Sequence, residues 1–247
     1  MKRTLLLLSV AGLLGLNADA QKLKDMVKKD SSGKSGVQKI LGGGNKNNLS
    51  NEEIVGGLKE ALSIGANNAA NQLSAVDGFF KDAALKILMP AEAQKVEKRL
   101  RAIGMGKLVD DAILAMNRAA EDAAKSAAPI FVDAIKSMSI GDAMGILRGG
   151  DFAATNYLKD KTTDSLTASF RPVIEASLEK VNATKYWDAV FTQYNKVSTE
   201  KINPDLAAYV TEKALAGIFH QVGLEEQKIR KDPVARTTDL LKKVFAS

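Results

Sequence analysis

From Ser50 onward the chain alternates apolar residues at helical spacing with short polar or glycine-rich corners. Ile54, Leu58, Leu62, Ala66, Ala69 and Leu73 recur every three or four positions and so share one helix face. Ser50-Asn51-Glu52-Glu53 opens that helix as a capping box, with serine and the second glutamate satisfying each other's backbone N–H groups. Residues 75–89 break the period with Gly78, Phe79-Phe80 and a short run of Leu85, Ile87 and Leu88, and read as a connection. Pro90 starts a helix to Ile103 with Val96 and Leu100 inward, and Gly104-Met105-Gly106 turns a corner. Lys107 to Ala127 is amphipathic, with Val109, Ala112, Ile113, Met116, Ala120 and Ala123 on one face.

Pro129 to Pro172 is dense in boundaries. Pro129 suits a first turn, and Ile130, Phe131, Ala134, Ile135 and Met138 line one face. Ser139 and Asp142 form a capping box with Asp in place of Glu, followed by the stripe Ile140, Ala143, Met144 and Leu147. Gly149-Gly150 predicts a stop in left-handed conformation, and Asp151 an N-cap for a helix over Phe152–Leu158. Thr162 or Thr163 then caps a helix carrying Leu166, Phe170, Val173, Ile174, Leu178 and Val181. Pro172 inside that pattern predicts a kink or break. Thr184–Val197 carries Trp187, Val190, Phe191 and Tyr194. Asn203-Pro204-Asp205 opens a helix to Gly223 whose apolar residues surround its axis, marking it as the most buried. Asp232-Pro233 starts the last helix, packing through Leu240, Leu241, Val244 and Phe245. No β-hairpin signal or fixed repeat appears, so the expected fold is all-α, a compact bundle of roughly eight to ten helices, several short.

The first 48 residues follow another logic. Lys2-Arg3, the leucine-rich Thr4–Leu16 and Ala18-Asp19-Ala20 make the basic, apolar and cleavage regions of a secretory signal peptide, expected to be cut after Ala20. The apolar run is shorter than the ~20 residues a membrane span takes. Gln21–Asn48 is rich in Lys, Ser, Gly and Asn and reads as a flexible tether, with one apolar patch at Val37, Ile40 and Leu41. Residues 49–247 then form one domain. The expected location is periplasmic or secreted, with no membrane span in the mature chain. Removing Lys2, Arg3 and Asp19 lowers the net charge from +6 to +5, a balance that permits acidic envelope surfaces without requiring a polyanion. With no cysteine, stability rests on burial rather than disulfides.

Composition also removes several chemistries. With one histidine and no cysteine, Cys/His zinc sites and Cys–His nucleophile pairs are out. A serine triad would need His220, which projects beside Tyr209 and Lys213 on a mostly apolar helix, and no G-x-S-x-G occurs. Gly33-Lys34-Ser35 imitates the end of a Walker motif, but Lys28 stands where its first glycine belongs. Asp160, Asp164 and Glu175 do not follow a calcium-loop pattern. Basic and aromatic residues are not interleaved as nucleic-acid platforms require. No catalytic residue, metal or cofactor is expected.

The candidate ligand-binding residues are Asn117, Arg118, Glu121, Asp151 and Lys161. Asn117, at the edge of an apolar stripe, and Glu121 can line a cleft between helices. Arg118 lies opposite that stripe, spaced for an ion pair with Asp122. Gly149-Gly150-Asp151 leads into a helix N-terminus that can hold an anion near Lys159 and Lys161, unless Asp151 caps it first.

Several words of sequence in fixed order resemble a known family: LSNEEIVGGLKEAL (49–62), MNRAAEDAA (116–124), PIFVDAIKSMSIGDAMGILRGGDFAATNYL (129–158), the TTDSL…FRPVIEASL run, and DPVARTTDLLKKVF (232–245). Together they are similar to the exported bacterial family catalogued as domain of unknown function 4197. The resemblance implies an all-helical protein exported by Gram-negative bacteria, and it implies no activity and no site residues. The function expected is that of a non-catalytic binding or structural protein of the cell envelope, with an unknown envelope partner or an apolar ligand. The alternatives are a carrier holding an apolar small molecule or lipid between helices, and a hydrolase built on Glu121, Asp133, Lys136 and Lys161.

Overall fold

In the computed structural model, residues 50–197 and 205–232 are described, together with 199, 201, 236, 238, 242 and 244. The expected signal peptide, the tether and most of the expected final helix lie outside these residues. Every regular element among the described residues is helical.

Helix α1 (Asn51–Ser74) begins at the expected capping box: the Ser50 hydroxyl accepts from Glu53 N at 3.1 Å, and the Glu53 carboxylate accepts from Ser50 N at 2.8 Å. After the connection, a 3₁₀ turn (Ala91–Ala93) leads into α2 (Gln94–Ala102). Gly104, at φ 81°, turns the chain into α3 (Gly106–Ala124). The hairpin α4 (Ala127–Ser137) and α5 (Ile140–Arg148) follows, and the Ser139–Asp142 box closes on both sides. Then come α6 (Ala153–Lys180), α7 (Ala183–Val197) and α8 (Leu206–Lys231).

Helix α8 is the hub. It packs along α6, α1 and α3, and α6 in turn lies against α3 and α4. The core between them holds Leu58, Leu73, Phe79, Phe131, Leu158, Leu166 and Phe170, with Phe131 and Phe219 meeting edge to face at 5.9 Å. Ala66, Ala69 and Ala70 of α1 and Ala119, Ala120, Ala123 and Ala124 of α3 are also sealed, which lets the helix backbones approach closely.

The central block differs from the sequence expectation in four ways. Residues 153–180 form one helix through Pro172, rather than two helices with a break. Pro172 is exposed, while Leu166, Phe170, Ile174 and Leu178 bury one continuous face, and that burial outweighs one missing backbone bond. Thr162 and Thr163 cap nothing; their hydroxyls donate back to the Leu158 and Lys159 carbonyls, each at 2.6 Å. Gly149 ends α5 at φ −76°, an extended rather than left-handed conformation. It is required by space, since a Cβ there would lie 2.5 Å from the Ala153 Cβ.

Asp151 is not the N-cap of α6 either. That N-terminus is capped from the far end of α8: the Glu226 carboxylate accepts from Ala154 N at 3.0 Å, Thr155 N at 2.8 Å and the Thr155 hydroxyl at 2.8 Å. Its own charge is met by Arg230 at 2.8 Å. Helix α8 accordingly runs past Gly223, the expected end, to Lys231.

Candidate functional site

The connection between α1 and the 3₁₀ turn has almost no regular structure, yet its position is tightly determined. Its backbone groups must find partners, and α3 supplies them from side chains. Asn117, fully buried, accepts from Ile87 N at 2.9 Å and donates to the Ile87 carbonyl at 2.8 Å, pairing with that residue as a neighbouring strand would. One turn on, the buried Glu121 carboxylate accepts from Phe79 N at 3.1 Å and Phe80 N at 3.2 Å. Arg118 closes the cluster, donating to Glu121 and to Asp77, each at 2.6 Å.

Asp77 sits at φ 72°, a conformation side chains rarely adopt. Lys81 and Arg118 hold its carboxyl below the usual range and fix the turn. The next residue must be glycine, because a Cβ on Gly78 would lie 2.4 Å from the Gln72 carbonyl oxygen. Phe79 is thereby driven into the core against Gly217 of α8. Tyr209 of α8 pins the far end by donating to the Leu88 carbonyl at 2.8 Å, and burial pushes its phenol pKa up.

Asn117, Arg118 and Glu121 are thus brought together, but their polar atoms hold the chain's own backbone rather than face an open cleft. The expected Arg118–Asp122 pair does not form. Arg118 turns to the buried Glu121, where a charge-assisted bond is stronger, and Asp122 pairs with Lys125 at 2.7 Å. Asp151 and Lys161 lie elsewhere in the bundle. Asp151 is exposed and meets Lys231 at 3.2 Å; Lys161 is exposed with its ammonium 5.9 Å from the Tyr157 ring. The anion place at the α6 N-terminus is taken by Glu226.

The pinned connection contributes to two pockets. The first is an apolar groove of about 360 Å³ between α2, α3, α7 and the first turn of α8. Val96 and Leu100 line it from α2, Leu108, Ala112, Ala115 and Met116 from α3, Trp187 and Phe191 from α7, and Leu206 from α8; Met89 adds the end of the connection. Trp187 and Phe191, with ring centres 4.4 Å apart and planes tilted by 51°, make one wall. Helix α2 is strongly amphipathic yet has no buried residue: Val96 and Leu100 pack against the core only in part and also border this groove. Leu108 and Val181, both half exposed, stand at the mouth. The two carboxylates of the rim, Glu97 and Asp111, are paired with Arg101 at 3.0 Å and Lys107 at 2.7 Å. The second pocket, about 380 Å³, lies between residues 84–88 and the face of α8 that carries Tyr209, Lys213, Gly217 and His220.

The periodicity marks Val96, Leu100, Trp187 and Phe191 as core positions and gives no sign that a space lies between them. The available signal is in α2, where two aliphatics and five charges make a helix too polar to be buried on any face.

Fold and pockets together define an all-helical bundle protein in which none of the described helices is long and apolar enough to cross a membrane. Residues 48–246 match the model of the family described as "Protein of unknown function (DUF4197)", and the chain belongs to that family. Neither the search of curated proteins nor that of solved structures returned a match.

Proposed function

We propose that this is a non-catalytic binding protein of the cell envelope, exported to the periplasm, that holds an apolar small molecule or a lipid chain in the groove between α2, α3 and α7. The observation that carries this reading is the groove itself. Its volume falls in the range of about 300–1,000 Å³ usual for ligand sites, and its walls are aliphatic and aromatic apart from paired rim carboxylates. An apolar space of this size in water invites an apolar occupant, because filling it removes exposed hydrocarbon from solvent at about 25 cal/mol per Å². Export is supported by the basic, apolar and A-x-A order of the first 20 residues.

The hydrolase reading finds less support. Glu121 is engaged with Phe79, Phe80 and Arg118, and Asp133, Lys136 and Lys161 are exposed on α4 and α6. None of the four lines either pocket described above.

Trp187 is the single tryptophan of the chain and stands in the groove wall, so it reports occupancy directly. A brominated long-chain fatty acid is expected to quench its fluorescence saturably, at about 10 µM or tighter. Ala115→Phe, which fills the groove, is expected to weaken that binding at least about tenfold. Quenching that never saturates, or that is indifferent to Ala115→Phe, would refute the reading. Native mass spectrometry of the protein taken from the periplasm then identifies the ligand it carries.

A further inference from the structure

The second pocket has the opposite electrical character. Its lining includes Lys86, Lys213, His220 and Tyr209 and contains no aspartate or glutamate. Tyr209, Lys213 and His220 fall on one stripe of α8 and face residues 84–88 across the gap. Lys213 is half-buried, 5.5 Å from the Tyr209 ring centre, and its carboxylate partner, Glu212, points into solvent at 3.3 Å. Lys86 lines the opposite wall with its ammonium 4.0 Å over the Phe80 ring. Its field also reaches Asp110, whose carboxyl is held low chiefly by Arg101. His220, the only histidine in the chain, is exposed at the edge of the pocket.

From this arrangement we infer that the pocket between residues 84–88 and α8 is a binding site for a small oxyanion, a phosphate or carboxylate group. Cationic side chains gathered in a concave site concentrate the field and raise the local concentration of anions. Lys213 supplies the charge, His220 a second donor at the edge, and the Ala84–Leu88 wall the shape. That wall is held by the Asn117 pairing with Ile87 and the Tyr209 bond to Leu88, so it is preorganised before any ligand arrives. The inference does not depend on what occupies the apolar groove.

A lone histidine gives an unambiguous NMR probe in the full chain. Its imidazole C–H signals are followed at fixed pH and ionic strength while inorganic phosphate replaces chloride. A second arm uses a soluble short-chain phosphatidylglycerol, which carries the same chemistry on a lipid headgroup. The expected result is a saturable shift with half-effect at about 1 mM or below, weakened at least about tenfold in Lys213→Gln. Lys213 is half exposed, so that variant is expected to keep the wild-type circular dichroism and melting temperature. A response to phosphate alone identifies a free anion as sufficient, and a response to the lipid only identifies a headgroup. A linear shift in both arms, or one unchanged by Lys213→Gln in a folded protein, overturns the site. Trp187 quenching is read separately, so failure here leaves the groove reading to its own test.

Discussion

At the scale of single residues, the decisive groups are buried polar side chains that satisfy backbone from afar. Glu226 accepts from Ala154 N, Thr155 N and the Thr155 hydroxyl and is paired with Arg230, so truncating it strands several donors at once. Glu226→Ala is expected to lower unfolding free energy by about 3 kcal/mol in urea titrations, the range for breaking a buried charge pair. Ser139→Ala, which removes an exposed local cap, is expected to lower it by about 1 kcal/mol. Asn117→Leu keeps the branched shape of the side chain but leaves the Ile87 N–H and carbonyl unpaired, and is expected to lose about 2 kcal/mol. It should also weaken the Trp187 quenching, because the connection ending at Met89 loses its anchor. Of these roles only the Ser139 cap was legible in the sequence. Local caps such as Ser50 and Ser139 were readable because donor and acceptor stand three residues apart. Glu226 and Asn117 act on partners 72 and 30 residues away, and no periodicity records such a distance.

At the scale of elements, amphipathic spacing located α1, α3 and α4 because each buries one stripe against the bundle, while Asp205 and apolar residues on every side located the start of α8. It erred where local punctuation was overridden by packing. Pro172, Thr162 and Thr163 look like boundaries, yet α6 continues because Leu166, Phe170, Ile174 and Leu178 stay on one buried face. The missing N–H at Pro172 is therefore a tolerated loss. Pro172→Ala, at an exposed position, is expected to raise stability by about 1–3 kcal/mol, seen as a higher thermal midpoint; a fall would mean that the ring itself shapes the helix. Gly217→Ala has the opposite expectation. Its Cβ would stand 2.5 Å from the Phe79 ring, which is sealed in the core, so about 1–3 kcal/mol is lost to overpacking. The groove escaped the sequence reading for a related reason. Spacing tells which face of a helix avoids water, but not that Val96 and Leu100 of α2, while packing in part against the core, also border a pocket.

At the scale of the molecule, a cysteine-free bundle depends on burial and on its network of carboxylates. Asp77, Asp110 and Asp142 are held below the usual range by hydrogen bonds from Lys81 and Arg118, from Arg101, and from Ser139 respectively. Asp122 is lowered by Lys125. At Asp205, burial works upward, but the Ala208 N–H and Arg171 outweigh it and leave the carboxyl low. A group lowered on folding contributes stability above its unfolded value and loses it as pH falls through the folded one. The melting temperature is therefore expected to drop as pH goes below about 4, and added salt to soften the drop where the pairs are exposed. Calorimetry from pH 7 to 3 checks the sign; a rise on acidification would exclude these carboxylates as the source.

The connection from Ala84 to Met89 serves both pockets, with Ala84–Leu88 toward the basic side and Met89 toward the apolar groove. It is a party wall, and a party wall makes its two rooms thermodynamically accountable to one another. If a hydrocarbon chain shifts Met89 and thereby changes how tightly phosphate binds, phosphate must change the affinity for that chain by the same factor. Measuring either affinity with the other pocket filled and empty gives that factor from both directions, and a ratio of one from each would describe a wall too stiff to carry a message.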